Sequence, residues 1–347
     1  MAEYQVIEGE PLDTVHIMKL RDFLEAQELE YDEQITYTYM LEDQNKIIAS
    51  GSCSGNIIKC IAVDPDYQGQ NLLAEIITRL VNHLVSHGIT HYFGFTKPKN
   101  KKIFLNMGLY PVAETENVLL LENRKNGLAK YVQKLVEETK KAQEAIDGQL
   151  SELDYASDKG IGAIVANCNP FTKGHRYLIV HAAKECKWLH VFILSDQNQM
   201  FSQKQRLEMA RIATSDLSNV IIHGASDYLI SPAVFPTYFI KDKVHAYEIN
   251  CSLDIRIFGS YIAKELGITK RFVGTEPQCE VTAQYNCWLK WELPDYGIEY
   301  HEIERIAEQG SVVSASVVRR ALERKDWETV FEMIPLPVCQ YLEECQL

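Results

Sequence analysis

The sequence predicts an α/β protein of two domains, a mixed α+β unit followed by a doubly wound parallel sheet. Three observations predict it. The 347 residues exceed the ~150 of one typical domain. From Ile161 onward, short β-branched apolar runs alternate with segments of helical period, the pattern of strand–helix–strand crossovers. Before about residue 122 the apolar runs alternate with polar residues and lie closer together, as in antiparallel strands. The expected boundaries are 1–122 for the first domain, 123–156 for a helical linker and 157–347 for the second domain.

In the first domain Val15 to Ala26 reads as an amphipathic helix. Ile35–Leu41, Lys46–Cys53 and Asn56–Val63 read as strands. A turn, Asp64-Pro65-Asp66-Tyr67-Gln68-Gly69-Gln70-Asn71, then opens a helix that runs to His87. Strands are expected at Tyr92–Thr96 and Val118–Leu121. Leu128 to Leu150 has helix-forming composition. Its few apolar positions predict a solvated helix packed on one side.

In the second domain strands are expected at Ile161–Ala166, Trp188–Leu194, Val220–His223, Arg271–Val273 and Ile298–Ile303. Helices are expected at Gly174–Cys186, Ser202–Ala213, Asp254–Leu266 and Val281–Leu289, and from the Ser314 region to Arg324, followed by two short ones near Pro335 and Pro337. Residues 226–241 carry two prolines and an aromatic run and read as an irregular insertion.

Composition narrows the function classes. A net charge of −13 argues against broad binding to nucleic acid or an anionic membrane surface, though not against a local pocket for one nucleotide. Nine cysteines without a C-x-x-C pair read as reduced thiols and predict neither a zinc site nor disulfides. The acidic start MAEYQVIEGE lacks the basic and apolar regions of a signal peptide, and no apolar run approaches the ~20 residues of a membrane span. A cytoplasmic enzyme is the expectation, with no metal held by a dedicated protein ligand set.

The chemistry concentrates at IGAIVANCNPFTKGH, residues 161–175. A buried parallel strand, a tight turn and a helix start succeed one another there. A helix N-terminus offers free N–H groups and a partial positive charge to an anion. Gly174 lets a ligand approach the backbone, and Lys173 and His175 add donors. In a doubly wound sheet the ligand sits at the carboxyl ends of the strands. Thr172, Lys173, His175, Asp196, Gly274, Glu276, Ser314 and Ser316 all fall just after strands or at helix starts.

Asn169-Pro170-Phe171-Thr172-Lys173-Gly174-His175 resembles the [HT]-x-G-H signature of nucleotidyltransferases. Ser314-Ala315-Ser316-Val317-Val318-Arg319 resembles that superfamily's downstream Ser-x-Ser-x-x-Arg element. The resemblance implies in-line attack on the α-phosphorus of ATP, with Mg²⁺. It implies His175 and Thr172, with Lys173, as catalytic donors. Asn169, Phe171, Gly174, Arg206, Gly274, Glu276, Ser314, Ser316 and Arg319 are implied as nucleotide-binding residues. Thr172 stands where many relatives of the superfamily have a first histidine.

The first domain is similar in element order to the GNAT acetyltransferase fold. That family cradles the pyrophosphate of acetyl-CoA at a glycine-rich turn. Gly69 fits its pattern, whereas Asp66 and Asn71 depart from it, so Gly69 and Gln70 are implied only as holding or docking a CoA-like group. The whole arrangement, with Phe235-Pro236-Thr237-Tyr238-Phe239 and Val273-Gly274-Thr275-Glu276-Pro277, resembles the citrate lyase ligase family over nearly the full length. This resemblance implies activation of acetate by ATP to acetyl-AMP. The acetyl group then passes to the CoA-like prosthetic thiol of the citrate lyase acyl carrier subunit. Lys97, Lys99, Lys101 and Lys102 offer a basic patch for that acidic partner.

Three other readings remain. One is an adenylyltransferase acting on a phosphate-bearing CoA or NAD precursor, which would not need the first domain. Another is a GNAT N-acetyltransferase, against which Asp66 and Asn71 count. The third is a nucleotide-sensing regulator, which could dispense with His175 or Ser316; both are present.

Overall fold

The structure, a computed structural model, describes residues 4–147, 159–195, 199–229, 243–277, 279–305, 307–308 and 311–345. The chain divides into two compact units, Met1–Leu128 with Phe235–Leu253, and Ala129–Val234 with Asp254–Leu347. This division falls a few residues beyond 122 and assigns most of the expected linker helix to the second unit. Asp196, residues 148–156 of the linker and residues 230–241 of the insertion lie outside the described residues.

The first unit is built on β1 (Gln5–Gly9), α1 (Thr14–Ala26), β2 (Tyr37–Asp43), β3 (Lys46–Ser54), β4 (Ile57–Val63), α2 (Leu72–Ser86), β5 (Phe93–Thr96), α3 (Lys101–Asn106), β6 (Tyr110–Glu114) and β7 (Leu119–Glu122). Its seven-stranded sheet has the order β1-β2-β3-β4-β5-β7-β6. All neighbours are antiparallel except β4 and β5, which meet in parallel only through Ile57–Phe93 and Ile58–Gly94. This is the GNAT-like mixed arrangement. The Asp13 side chain caps α1 by accepting from the His16 N–H. Leu72, Ile76, Ile77, Leu80 and Leu84 form the buried stripe of α2. The helix crosses β3 so closely at Gly51 that a Cβ there would lie 2.4 Å from Ile76 Cγ2.

The elements missing from the sequence-based expectation have weak local signals. β1 and β6 are the two edge strands of the sheet. β1 is half-exposed, and β6 carries Pro111, which an edge tolerates and a central strand does not.

The second unit takes in the body of α4 (Gly127–Asp147), then β8 (Ile161–Ala166), α5 (Lys173–Lys184), β9 (Trp188–Ile193), α6 (Gln203–Ala213) and β10 (Val220–Gly224). Next come α7 (Lys243–Ile257), whose residues through Leu253 fall in the first unit, a wide π turn (Phe258–Ala263), α8 (Lys264–Leu266), β11 (Ile268–Gly274), α9 (Glu280–Glu292) and β12 (Glu299–Ile303). A short pair, β13 (Ala307–Glu308) and β14 (Ser311–Val312), precedes α10 (Ala315–Glu323), α11 (Trp327–Met333) and α12 (Leu336–Glu344).

The five-stranded sheet has the order β10-β9-β8-β11-β12 and is parallel throughout. It is the doubly wound sheet the strand–helix alternation predicts. One face packs Leu189, Val191 and Phe272 against Ile179 and Ala182 of α5, Val318 of α10 and Leu342 of α12. At Gly162 of β8 a Cβ would meet Cys186 Sγ at 2.4 Å, so this strand and its neighbours demand glycine there. α7 begins eleven residues before the expected Asp254. Asn250, Cys251, Leu253, Asp254, Ile255 and Ile257 are all buried, so the helix has no single apolar stripe to read. Among the described residues no helix is long and apolar enough to cross a membrane.

Candidate active site

β8 delivers the chain to the carboxyl edge of the sheet at Ala166. The next five residues turn sharply before Thr172 starts α5. Cys168 sits at φ +52° and the Asn169–Pro170 peptide is cis. A left-handed backbone costs a non-glycine residue ~1–2 kcal/mol, so such a loop persists only where its surroundings hold it. Two guanidinium groups do so. Arg206 is fully buried, donates from Nη1 to the Asn167 carbonyl at 2.8 Å, and donates from Nε to the Phe201 carbonyl at 3.1 Å. Arg319 donates from Nη1 to the Asn169 carbonyl at 2.6 Å. The Asn169 side chain is also engaged, accepting from the Phe201 N–H at 3.1 Å and donating to Gln199 Oε1 at 2.6 Å. Phe171 is buried, its ring 5.6 Å from that of His175.

Thr172 and His175 cap α5 reciprocally. Thr172 Oγ1 accepts from the His175 backbone N–H at 3.4 Å, and His175 Nδ1 accepts from the Thr172 backbone N–H at 2.9 Å. A backbone N–H can only donate, so Nδ1 is the bare nitrogen. In the neutral ring the proton therefore rests on Nε2. Burial, and then the Arg305 cation, push the His175 pKa down to about 4. At neutral pH the residue is an uncharged donor at a helix N-terminus.

The second motif meets the first. A Cβ built on Gly174 would lie 3.5 Å from the Val313 carbonyl oxygen, so the strand end before α10 packs on the start of α5. Ser314 occupies the N-cap position of α10, but its hydroxyl makes no capping bond. It pairs with Ser316 Oγ at 2.8 Å instead. The two hydroxyls and the Arg319 guanidinium thus gather beside the Thr172–His175 cap, bringing together residues almost 150 positions apart in the chain.

The third wall lies beyond the ends of β11 and β12. The Thr275 N–H donates to the Ile303 carbonyl at 3.0 Å, and Thr275 Oγ1 accepts from the Arg305 N–H at 3.1 Å. Arg305 Nη2 pairs with Glu276 Oε2, while Glu276 Oε1 accepts from the Cys279 N–H at 3.2 Å. The Gly274 carbonyl accepts from Asn286 Nδ2 at 3.1 Å.

Several expected ligand residues therefore sit differently from the expectation. Arg206, Asn169 and Phe171 are interior supports of the loop rather than a surface facing ligand, because their polar atoms, or in Phe171 the ring, are enclosed by protein. Lys173 donates to the Glu332 carbonyl near the end of α11, where a helix's partial negative charge favours a cation. Glu276 is an ion-pair partner and an acceptor for the Cys279 N–H just ahead of α9. Arg305 was missed. The available signal was a cation two residues past the last strand, at the sheet edge where ligands bind.

In the first unit Gly69 has φ +82° and Asn71 has φ +65°. Open space surrounds the position of a Cβ at Gly69. Gln70 Oε1 accepts from the Tyr4 hydroxyl at 2.6 Å, and Asn71 leaves α2 without a side-chain cap. Of the four lysines of the expected basic patch, Lys101 pairs with Glu114 at 2.6 Å and Lys97 stands 4.0 Å from Glu28, while Lys99 and Lys102 are exposed.

Fold and site define a class: a GNAT-like unit joined to a nucleotidyltransferase-type parallel-sheet domain with the Thr172–His175 and Ser314–Arg319 elements at one strand edge. The family model described as the citrate lyase ligase C-terminal domain matches residues 161–342. The chain is 38% identical over 333 residues to the citrate (pro-3S)-lyase ligase of Haemophilus influenzae, covering 94% of this chain and 95% of that one. It is 35% identical to the enzyme of the same name from Escherichia coli, covering 94% and 90%. The chain belongs to the citrate lyase ligase family, whose members are enzymes.

Solved structures similar to parts of it include Thermotoga maritima TmcAL bound with alpha-thio ATP. That match has 14% identity and TM-score 0.34, covering 53% of this chain and 55% of that one. Another is an acyl-CoA N-acyltransferase from Pseudomonas aeruginosa, with 9% identity and TM-score 0.32, covering 35% and 100%.

Proposed function

We propose that the second unit adenylates acetate and that the acetyl group then passes to the prosthetic-group thiol of the citrate lyase acyl carrier subunit, activating citrate lyase. The observation that carries this reading is the neutral His175, its Nδ1 tied to the Thr172 N–H, next to the hydroxyls and guanidinium of the second motif. Family membership with relatives named for ligation to citrate lyase supports the acceptor.

In the first step an acetate oxygen attacks the α-phosphorus of ATP. A new acyl O–P bond forms, the bridging P–O bond breaks, and pyrophosphate leaves. Such transfer needs positioning and charge stabilisation rather than a covalent nucleophile. His175 Nε2–H donates to the oxygens of the transferring phosphate. The α5 N-terminus faces the same charge, and Ser314, Ser316 and Arg319 hold the leaving phosphates. Arg305 lies close enough to depress the His175 pKa and adds positive potential beside it.

Among the described residues, hard oxygen donors at this edge include the Ser314 and Ser316 hydroxyls and the Glu276 carboxylate, the last already paired with Arg305. They fit a Mg²⁺ ion that keeps most of its shell from phosphate oxygens and water. When bound it would neutralise charge on the leaving pyrophosphate.

In the second step the carrier's thiol sulfur attacks the acetyl carbonyl carbon. A C–S bond forms, the C–O bond to phosphate breaks, AMP leaves, and the thiol proton goes to solvent. The turn at Gly69 and Gln70, left-handed at Gly69 and Asn71, with the uncapped start of α2 behind it, is assigned to holding the CoA-like arm.

The test is acetate-dependent exchange of labelled pyrophosphate into ATP, without carrier protein. Exchange that requires acetate and is lost in His175→Ala supports the reading. Exchange that proceeds only with a phosphate-bearing acceptor would replace it with an adenylyltransferase.

A further inference from the structure

We propose that Glu10, His83 and His87 in the first unit form a binding site for a divalent transition-metal ion of the zinc class. His83, in the last turn of α2, and His87, its C-cap residue, stand four residues apart, so both rings leave the same side of the helix. Glu10 comes from the turn between β1 and α1. One ligand atom from each of the three lies within 4.8 Å of the others. Glu10 Oε1 is 3.3 Å from His87 Nε2 and 3.7 Å from His83 Nε2. Ligands of a tetrahedral zinc at its usual bond lengths stand about 3.3 Å apart, so the spacing fits with little movement.

The hydrogen bonding gives a second, independent argument. His87 Nδ1 is 2.9 Å from the His83 backbone carbonyl. A carbonyl oxygen only accepts, so Nδ1 carries the proton and donates. The Nε2 of a neutral His87 is then a bare lone pair aimed at a carboxylate oxygen. Two acceptors at that distance repel unless a proton or a metal cation lies between them. The same Nδ1–H···O=C bond is the outer partner that fixes ring orientation in histidine metal ligands. His83 is held too, its ring stacked on Tyr37 at 3.7 Å and 2°.

Two imidazoles and one carboxylate are a borderline set that suits zinc and leaves one position open. The ion would tie the β1–α1 turn to the last turns of α2, and would stabilise the folded unit by mass action.

Glu10 and His87 are about half exposed, 53% and 50%, so substitutions there disturb little packing. The test uses the full chain, stripped of metal with a chelator and titrated with Zn²⁺ by calorimetry, wild type beside Glu10→Gln and His87→Ala. Cys279, Cys287 and Cys345 are exposed free thiols able to take up zinc, so the readout is the difference between proteins. Cobalt substitution provides a spectrum in which thiolate charge-transfer bands mark those sites.

The expected result is one zinc ion in wild type whose affinity falls in both variants by more than the ~10–100-fold that loss of a mere outer partner costs. A zinc-dependent rise in melting temperature should be present in wild type and lost in the variants. Equal stoichiometry and affinity in all three proteins, or cobalt bound only with thiolate bands, would overturn the proposal and leave an imidazolium–carboxylate surface pair.

Discussion

The Thr172 backbone N–H donates to His175 Nδ1 at 2.9 Å, with the Thr172 hydroxyl at the same distance, and the backbone donor leaves Nε2 as the nitrogen that carries the proton. The donor is main chain, so its effect survives changes to the threonine side chain. His175→Ala should lower acetate-dependent pyrophosphate exchange ~10²–10³-fold, the usual cost of one preorganised donor. Thr172→Ala should cost ~1 kcal/mol of stability as a lost cap, while retaining more exchange than His175→Ala. Equal losses in the two variants would sink the tautomer argument.

Arg206 and Arg305 separate support from contact. Arg206 is fully buried on the Asn167 and Phe201 carbonyls. Arg206→Ala leaves buried acceptors unpaired, each at ~1–3 kcal/mol. Its main effect should be a large fall in denaturation midpoint. Arg305 is partly exposed and paired with Glu276. Arg305→Ala removes the cation beside the Glu276 carboxylate, which is only 8% exposed, so it should lower stability as well, yet it should reduce exchange at least tenfold in protein that is still folded. Urea melts run beside exchange assays distinguish the two roles.

Acid should destabilise the second unit through its neutral histidines. Burial and His223 push the His190 pKa down to about 3, and burial with Arg305 brings His175 to about 4. Unfolded, both titrate near the ordinary histidine value of ~6.5. Between the folded and unfolded values the unfolded chain binds more protons, so stability rises with pH. It should be complete above ~6.5 and fall as pH drops toward 4 and 3, at up to ~1.4 kcal/mol per pH unit for each group. Urea melts across pH 7.5 to 4.5 give the slope, and His190→Asn should flatten it.

The turn before α2 offers a test of the two steps. Gly69 has φ +82°, so Gly69→Ala should cost ~1 kcal/mol by strain alone. Exchange with acetate should stay unchanged, because the residues proposed to adenylate it lie in the second unit. Acetyl transfer to the carrier's thiol should slow several-fold if this turn holds the CoA-like arm. A variant with unchanged transfer would assign the arm elsewhere.

Local pattern carried much of the fold. The parallel sheet was legible because β8 and β9 are short, mostly apolar runs bounded by turn residues. The capped start of α5 was legible because Thr172, Gly174 and His175 stand where a strand ends and a helical period begins. The edge strands β1 and β6 were not legible, because a half-exposed strand and one bearing Pro111 carry little hydrophobic pattern. Neither was the start of α7, which is buried on more than one side.

By itself the sequence determined which residue types cluster at the strand ends, since chain order fixes the residues next after each strand. Tertiary structure decided what each one does there. Burial turned Arg206, Asn169 and Phe171 inward, because the strained Cys168 loop needs partners that water would otherwise supply. Packing across more than a hundred residues set Arg305 near His175 and Arg319 on the Asn169 carbonyl. Such approaches depend on how strands order in the sheet. No spacing along the chain encodes them.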